Sequence, residues 1–251
     1  MINDLSIVLA TRNEQENLPR CLEAVSDLTN DLVIVDAEST DKTREIAKKH
    51  KARVIKVKHR KMFHKNKQIA LDRAKNTWIL QLDADEVVTP ELAQEIKQII
   101  QKSKYSGFYI PRRNFFLGHP LTKGGQYPDE VIRLVKKAKA HFPCQSVHEQ
   151  IAIVGSVGHL KHDLLHYSDP NLTRYFTRFN RYTSLEAAKL NIKPFTFLNY
   201  LLIKPAYWFL LTFIRHKGFV DGIYGFLFSL LSSLRYPVTY IKALEIKWTK
   251  K

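Results

Sequence analysis

An apolar run that ends in two aspartates is the clearest chemical signal in the chain. Residues 78–82 read WILQL, and Asp83-Ala84-Asp85 follows directly. A buried strand that ends in this way places carboxylate oxygens at the carboxyl edge of a sheet, where α/β proteins bind their ligands. Such oxygens suit hard divalent cations, which can bridge them to a substrate phosphate. The pattern makes Asp83 and Asp85 candidate ligands of Mg²⁺ or Mn²⁺.

Apolar runs and helical patterns alternate over the first 83 residues. The runs are nearly continuous in apolar residues, as strands buried on both faces are. The predicted strands cover residues 5–10, 32–36, 53–57 and 78–83, and the predicted helices cover residues 15–28, 40–50 and 65–75. This βαβαβαβ order predicts an α/β fold with a parallel, doubly wound sheet.

The chain changes character after this alternating region. Thr89-Pro90-Glu91 offers a side-chain cap, a proline at the first helical position and an acidic first turn, which predict a helix to about Lys104. Short β-like pieces at 107–111, 131–136 and 151–154 are then separated by Gly, Pro and His. These residues indicate an irregular region rather than further βα units.

The C-terminal part is apolar and aromatic. Residues 195–214 are long enough to be considered as a membrane span, but Lys204 and Pro205 interrupt them. A second apolar stretch at 219–234 contains Asp221 and two glycines. Aromatic residues beside Lys and Arg favour helices that lie in the membrane interface. A true span and a buried or dimer-forming tail are the alternatives.

The formal charge of +16 is unevenly distributed over the 251 residues. The first 100 residues carry 17 basic and 16 acidic side chains, so nearly all of the excess lies further along the chain. A basic surface favours an anionic partner, either nucleic acid or the phosphates of a membrane. The chain has only two cysteines and starts without a basic, apolar leader, which predicts a reduced, cytoplasmic protein.

Three motifs at predicted strand ends resemble those of the family 2 glycosyltransferases of GT-A fold. They are ATRNE at 10–14, VDAESTD at 35–41 and LDADE at 82–86. Later segments resemble the subgroup of lipopolysaccharide core biosynthesis β-glucosyltransferases. These segments are PRRNFFLG at 111–118, GGQYPD at 124–129, RL at 133–134 and VHE at 147–149.

The resemblance implies a division of the chain and a reaction. Residues 1–170 are expected to form a Rossmann-like GT-A catalytic domain, with a donor-binding half at 1–104 and an acceptor-side half at 105–170. Residues 171–251 are expected to form a helical, membrane-associating region. The implied reaction transfers a sugar from a nucleotide-activated donor with inversion at the anomeric carbon.

The resemblance also implies roles for residues on the donor side. Asp85, and Asp83 through the metal or water, would hold Mg²⁺ or Mn²⁺ against the donor diphosphate. Asp36 would accept a hydrogen bond from the uracil or ribose. The residues expected to line the same pocket are Thr11, Arg12 and Glu14, with Lys65 and Lys67 near the donor. For the two lysines, a solvated helix start is an equal alternative.

On the acceptor side, the resemblance places Asp129 opposite the attacking hydroxyl as the general base, with Glu149 as the second candidate. Arginine side chains are candidate phosphate ligands, because guanidinium groups bind phosphate through two parallel hydrogen bonds. These arginines are Arg112, Arg113 and Arg133. A histidine could add a third metal ligand, although a structural role is the more common one. The candidates are His148, His159, His162 and His166, and the glycines at 155 and 158 argue against a helix there.

The function expected from these observations is transfer of a hexose, glucose in this subgroup, from a UDP-sugar to an anionic glycolipid such as a lipopolysaccharide core. The enzyme would act at the cytoplasmic face of the inner membrane as a peripheral or monotopic protein, with a homodimer as one further possibility. A polyprenyl phosphate or capsule acceptor is the enzymatic alternative. A nucleic-acid-binding protein is the alternative of another class, and no recognised nucleic-acid motif accompanies the basic charge.

Overall fold

The computed structural model describes residues 1–60, 62–145 and 149–249 as a mixed α/β fold. Its strands are β1 (Leu5–Thr11), β2 (Asp31–Asp36), β3 (Arg53–Lys56), β4 (Trp78–Leu82), β5 (Glu86–Val88), β6 (Gly107–Phe116), β7 (His119–Pro120), β8 (Asp129–Lys136), β9 (Ala140–His141), β10 (Ala152–Ile153), β11 (Val157–His159) and β12 (Leu164–Asp169). Its longer helices are α1 (Leu18–Glu23), α2 (Thr43–Lys49), α3 (His64–Arg73), α4 (Pro90–Ile99), α5 (Leu172–Ala187), α6 (Thr196–Arg215), α7 (Gly222–Ser233) and α8 (Arg235–Thr249). Short 3₁₀ turns cover Lys137–Lys139 and Gly218–Asp221.

The main sheet has the strand order β3-β2-β1-β4-β8-β6-β12-β5. The first four strands are parallel, as the alternating sequence pattern predicts. Strand β8 then pairs antiparallel with β4, and β12 pairs antiparallel with β5. The carboxyl ends of β1, β2 and β4 therefore meet at one edge, where Thr11 lies opposite Asp36 and Leu82 lies opposite Leu9.

Both faces of this sheet are covered, which explains the continuous apolar runs in its strands. On one face, Ile7 and Leu9 belong to a cluster that includes Leu18 and Leu22 of α1. On the other face, Val8 belongs to a cluster formed with residues of α3, β2 and β8. Alternate residues of one strand thus enter different cores, and the strand ends are fixed on both sides.

Several element boundaries differ from the sequence prediction. Helix α1 covers only Leu18–Glu23, and α4 ends at Ile99 rather than near Lys104. The predicted cap of α4 is present, since the Thr89 hydroxyl accepts a hydrogen bond from the Leu92 amide at 3.2 Å. Strand β6 continues to Phe116, beyond the piece predicted at 107–111.

The chain forms two compact units, which are described separately. Unit 1 contains residues 1–112 and 130–166, and unit 2 contains residues 113–129 and 167–251. The boundary at residue 170 stays a prediction of the domain organisation. Unit 2 has a small core of its own, in which Phe116, Leu121 and Tyr175 are buried.

Helix α6 of unit 2 is apolar and largely exposed. By length and composition it could cross a membrane, and only 6% of its apolar window is buried. It contains two π-helical segments, Asn199–Ile203 and Leu211–Arg215, around the α-helical Lys204–Leu210. The sequence break expected at Lys204 and Pro205 therefore does not end the helix.

Candidate active site

Asp83 lies directly after β4 and is held between two cations. Its Oδ1 atom is 2.5 Å from Lys67 Nζ, and its Oδ2 atom is 2.7 Å from Arg133 Nη2. The side chains of both cations are almost completely buried, whereas that of Asp83 is 30% exposed. Asp83 is therefore a fixed carboxylate that faces outward from a buried positive pair.

Glu86 is the buried counterion of Arg133. The Arg133 Nε and Nη2 atoms donate to its carboxylate at 2.8 to 3.2 Å, and Arg112 adds a bond of 3.2 Å. The remaining Arg133 Nη1 donates to Gln81 Oε1 at 2.7 Å. Glu86 also accepts from the Asp83 amide at 2.9 Å, which fixes the backbone of the acidic turn. Glu86 is part of the motif LDADE, but the sequence does not show that it is buried. Its burial is what identifies it as the counterion of Arg133.

Two of the three arginines predicted to bind phosphate contact Glu86 of the acidic turn. Arg133 and Arg112 both donate to Glu86, because a fully buried carboxylate requires charged and hydrogen-bonded partners. Arg113 lies in unit 2, where its guanidinium carbon is 5.0 Å from the centre of the Tyr127 ring. The forked geometry of Arg133 organises the acidic turn rather than a ligand.

The network also sets the charge states of its members. Burial by itself raises the pKa of Asp83, but the charges of Lys67 and Arg133 outweigh it and hold that pKa well below its ordinary value. Burial lowers the pKa of Lys67, and the charge of Asp83 opposes this effect. Burial also lowers the pKa of Arg133, but Glu86 and Asp83 outweigh it and raise that pKa above its ordinary value. Asp83 is therefore ionised at neutral pH.

Asp85 approaches a histidine from a distant part of the sequence. Its Oδ2 atom is 3.6 Å from His166 Nε2, and β12 brings His166 opposite Glu86 in the strand register. A carboxylate and an imidazole at this separation are donors that one Mn²⁺ or Mg²⁺ can share. Within residues 1–60, 62–145 and 149–249, no group of three His, Cys, Asp or Glu side chains is close enough to hold a metal by itself. The pair thus fits a cation that completes its shell with phosphate oxygens or water.

The other histidines considered as metal ligands have different surroundings. His159 Nδ1 is 2.7 Å from Glu130, and His162 Nδ1 is 2.8 Å from Glu95. Both histidine side chains are exposed. His159 lies at the end of strand β11, in agreement with the prediction that this segment is not a helix. His148 lies outside the described residues. Of the three described candidates, His166 is the one beside an aspartate of the predicted pair.

Asp36 and Thr11 lie side by side where β2 and β1 end. Asp36 is fully buried, and it accepts hydrogen bonds from the amide of Ser39, at 3.1 Å, and from the Ser39 hydroxyl. Its Oδ1 atom is also 3.7 Å from Arg44 Nε. The Thr11 hydroxyl is buried, and no partner for it occurs in the part of the chain that the structure describes. Asp36 therefore shapes its own loop, and Thr11 offers an unused hydroxyl at the same edge.

Two further predicted donor-site residues follow β1. Arg12 is exposed, and Glu14 is half-buried with its Oε2 accepting from the Asn17 side chain at 2.8 Å. The Glu14 amide donates to the Thr43 hydroxyl at 2.8 Å, which ties this loop to the start of α2. The loop that contains both residues is thus held in place beside Asp36.

The two predicted lysines of helix α3 have different surroundings. Lys65 is exposed, whereas Lys67 is buried against Asp83. Between them, Asn66 is buried, and its Oδ1 atom has no hydrogen-bond partner among the described residues. The structure therefore brings Lys67, rather than Lys65, to the acidic turn.

Glu149, the second candidate for the base, is hydrogen-bonded to the backbone. Its two oxygens accept from the amides of Cys144, at 2.6 Å, and Gln145, at 2.9 Å. His64 Nδ1 lies 3.8 Å from one of them. Hydrogen bonds to a carboxylate stabilise its charged form, which makes it a weaker base.

Asp129, the first candidate for the base, belongs to unit 2. The side-chain amide of Asn114 donates to Asp129 Oδ2 at 3.0 Å and to the Gln126 carbonyl at 3.1 Å. Asn114 thereby links β6 to the segment that leads into β8. Asn114 is not among the site residues predicted from the sequence, and its position in the resembling segment 111–118 was the available signal.

Residues 6–151, more than half of the chain, match the profile of glycosyl transferase family 2. The chain belongs to this family. The predicted resemblance is confirmed, and the protein is a glycosyltransferase of the family 2 type.

Related proteins extend the similarity over nearly the whole chain. An uncharacterized glycosyltransferase of Rickettsia typhi is 29% identical over 255 residues, which covers 96% of this chain and 87% of the relative. The lipopolysaccharide core biosynthesis glycosyltransferase LpsC of Rhizobium meliloti is 24% identical over 248 residues, covering 92% of this chain and 91% of the relative. The predicted resemblance to lipopolysaccharide core glycosyltransferases is thus confirmed in sequence.

The fold is similar to that of a solved structure. The crystal structure of S. aureus TarS 1–349 in complex with UDP-GlcNAc matches with a TM-score of 0.51 at 13% identity, covering 96% of this chain and 88% of that chain. At this low identity the likeness concerns the fold alone. It confirms the predicted GT-A type of α/β sheet.

Proposed function

We propose that this family 2 enzyme transfers a hexose from a UDP-sugar, with inversion, to an anionic glycolipid of the lipopolysaccharide core type. The observation that carries the proposal is the acidic edge of unit 1, where Asp83 is fixed by Lys67 and Arg133 and Asp85 lies beside His166. An ionised carboxylate and a pair of metal donors at the carboxyl edge of a sheet suit a diphosphate with its cation.

On the donor side, Asp85 and His166 would hold Mg²⁺ or Mn²⁺, with Asp83 contributing through water. When bound, the cation supplies positive charge that stabilises the departing diphosphate. Lys67 and Arg133 keep Asp83 ionised and oriented at the same edge. The proposed nucleoside-binding residues are Thr11, Arg12, Glu14 and Asp36, with Lys65 at the exposed start of α3.

On the acceptor side, Asp129 is the proposed general base. It would take the proton of the acceptor hydroxyl as the hydroxyl oxygen attacks the anomeric carbon and the nucleoside diphosphate leaves. The Asn114 side-chain amide donates to one oxygen of this carboxylate and orients it. Glu149 is the weaker candidate, since two backbone amides already stabilise its negative charge.

The proposed acceptor and location follow from unit 2 and from the similarity to LpsC. The exposed apolar surface of α6 and the basic excess beyond residue 100 suit a membrane that carries anionic lipid. We place the enzyme at the cytoplasmic face of the inner membrane as a peripheral or monotopic protein. Glucose is the proposed sugar, because the resembling subgroup is one of glucosyltransferases.

The test is nucleotide release from purified full-length protein. The protein is incubated with a panel of UDP-sugars, with Mn²⁺ or Mg²⁺, and with extracted lipopolysaccharide core. We expect UDP release that requires both the cation and the acceptor, with UDP-glucose as the best donor. Asp85→Ala should lower turnover at least about a thousandfold, because it removes a ligand of the cation that stabilises the leaving group.

Two results would contradict the proposal. Turnover that is unchanged by a chelator would exclude the cation, and a near-normal rate for Asp85→Ala would exclude its role. Glu91→Ala, an exposed acid in the first turn of α4, is the matched control and should keep the wild-type rate. Circular dichroism of both variants separates lost chemistry from lost folding.

A further inference from the structure

A buried aspartate holds one loop of unit 2 against the helical region. Asp221 is only 7% exposed, and its carboxylate accepts from the Thr122 amide at 3.0 Å and from the Lys123 amide at 2.9 Å. The Thr122 hydroxyl adds a third donor at 2.5 Å. Hydrogen bonds to an ionised acceptor are stronger than neutral ones, so this loop is firmly attached.

The same loop contacts the turn that follows α6. The Gly124 amide donates to the His216 carbonyl at 2.9 Å, and a β-carbon at Gly125 would lie 3.8 Å from the His216 ring. Gly124 and Gly125 both have positive φ, which glycine adopts without strain. Backbone and ring thus meet closely where the loop 122–125 and the turn 215–218 face each other.

The turn itself depends on close backbone approach. A β-carbon at Gly225 of α7 would overlap the carbonyl oxygen of Gly218, and one at Gly218 would lie 2.8 Å from the Thr212 carbonyl oxygen. The end of α6, the turn and the start of α7 are therefore packed backbone to backbone. The backbone of the turn is closely packed, although most of its side chains are exposed.

The charged side chains exposed on the loop and the turn are Lys123, Arg215 and Lys217, which are all basic. His216 of the turn is exposed as well. The sequence has no acidic residue between Arg113 and Pro128, and none between Glu186 and Asp221. The carboxylate of Asp221 is buried and faces the amides of Thr122 and Lys123.

The basic turn also lies next to an apolar surface of α6. Tyr207, Leu210, Leu211 and Ile214 of α6 line an open cavity of about 600 Å³ that ends at Arg215. An apolar face that leads to a guanidinium group matches an amphiphile, with its hydrocarbon on the helix and its anionic head at the turn. The loop 122–125 continues through Gln126 to Asp129, both of which Asn114 binds.

We propose that the loop 122–125 and the turn 215–218 form a binding site for a phosphate group of the membrane-held acceptor. The phosphate would contact Arg215, Lys217, Lys123 and the exposed backbone of Gly125. Its binding places the acceptor's sugar beside the segment that carries Asp129. The identity of the acceptor rests on the proposed function, whereas the affinity for phosphate does not.

The experiment compares two double variants of the full-length protein. Arg215→Gln with Lys217→Gln removes two charges from the turn, and Lys189→Gln with Lys193→Gln removes two exposed charges from the same acid-free stretch. Sugar transfer is measured on lipopolysaccharide core with its phosphates and on the same material after chemical dephosphorylation. Both acceptors are presented in phosphatidylcholine vesicles with and without phosphatidylglycerol, which separates acceptor phosphate from bulk anionic lipid.

We expect the turn variant to raise the acceptor KM about tenfold on the phosphorylated core and less than about twofold on the dephosphorylated core. The KM for the donor should be unchanged. The control variant should raise neither acceptor KM, whichever vesicles are used. An equal rise on both acceptors, or an equal rise for the control pair, would overturn the proposal in favour of general surface charge.

A second measurement keeps the site testable if no variant, including the wild type, transfers sugar. That result would refute the proposed function, and hydrogen exchange of the amides at 122–125 would then be followed with inorganic phosphate at millimolar concentration. Slower exchange in the wild type that is lost in the turn variant supports the phosphate site. Exchange that phosphate leaves unchanged in the wild type overturns it.

Discussion

Arg133 is the side chain on which the acidic edge of unit 1 depends. It is buried, and its guanidinium group makes five hydrogen bonds of 2.7 to 3.2 Å to Gln81, Asp83 and Glu86. Glu86 is completely buried. Loss of Arg133 would leave this carboxylate with the guanidinium group of Arg112, which lies 3.2 Å away. A buried charge without a sufficient counterion is strongly destabilising.

The corresponding prediction concerns stability rather than chemistry. We expect Arg133→Met to lower the free energy of unfolding by about 3–5 kcal/mol, the usual cost of breaking a buried ion pair. Arg133→Lys should lose less, because a lysine keeps the charge but not the fork. Urea denaturation measures both, and exposed Arg73→Met is the control, expected within about 0.5 kcal/mol of the wild type. Equal stabilities of the Met and control variants would contradict this role.

Substitution of the two candidates for the general base is expected to affect different properties, catalysis for Asp129 and stability for Glu149. Asp129→Asn keeps the size of the side chain and should lower kcat about 10²- to 10⁴-fold with little change in the KM for the donor, since general base catalysis contributes that much. Glu149→Gln should instead lower stability, because the amide accepts less well from Cys144 and Gln145. Steady-state kinetics and thermal unfolding of both variants decide this, and the reverse pattern would exchange the two roles.

Among the elements, strand β2 begins with a buried carboxylate that joins three segments. Asp31 accepts from the Ser6 hydroxyl at 2.6 Å, the Lys75 amide at 2.8 Å and Arg53 at 3.1 Å. Burial raises the pKa of Asp31, but the hydrogen bonds from Ser6, Lys75 and Arg53 outweigh it and lower that pKa. The ionised carboxylate therefore stabilises the folded state, and protonation weakens it.

This gives a pH-dependent prediction. A lowered pKa in the folded state contributes stability above the ordinary carboxyl pKa of about 3.9, and this contribution is lost as the pH falls through the folded value. Asp31→Asn should cost about 1–3 kcal/mol at pH 7. The difference from the wild type should shrink steadily below about pH 4. Urea unfolding across pH 3–7 measures it, and a constant difference would contradict the assignment.

The elements differ in how far the sequence predicts them. Strands β1, β2 and β4 are predictable because each is a nearly continuous apolar run that is almost completely buried. Strands β5 and β12 are not, since β5 has only three residues and β12 reads LLHYSD. Their pairing aligns Leu164 with Val88, residues far apart in sequence, and no local pattern records such a contact.

The same distinction separates the predicted site residues. Asp83 and Asp85 are predictable because they directly follow an apolar strand. Asp36 is predictable for the same reason, since it ends the apolar run at 32–36. The partners that fix them are not predictable, because the approach of His166 to Asp85 depends on the pairing of β12 with β5. Likewise, the sequence identifies two lysines near the start of α3, but only the helix phase buries Lys67 and exposes Lys65.

For the molecule as a whole, the exposed apolar surface of α6 is the feature that bears most directly on where the protein is located. Deleting the C-terminal region is a poor test, because Asp221 binds the loop at Thr122 and Phe116 packs in the core with Tyr175. Deletion would therefore disturb residues 113–129 as well. Substitutions of exposed side chains leave these contacts in place.

Leu202→Ser with Leu210→Ser removes two exposed leucines from α6, and Leu172→Ser with Leu185→Ser removes two exposed leucines from α5. If α6 enters the membrane, the first pair should weaken binding to phosphatidylglycerol-containing vesicles at least about tenfold, since each buried CH₂ contributes about 0.8 kcal/mol. The second pair should change it little, and both should keep the wild-type unfolding midpoint because all four side chains are exposed. Flotation with vesicles and sedimentation without them are the measurements. A different result would assign the α6 surface to contact with a second copy of the chain. In that case both variant pairs bind vesicles equally well, and only the α6 pair converts a dimer into a monomer.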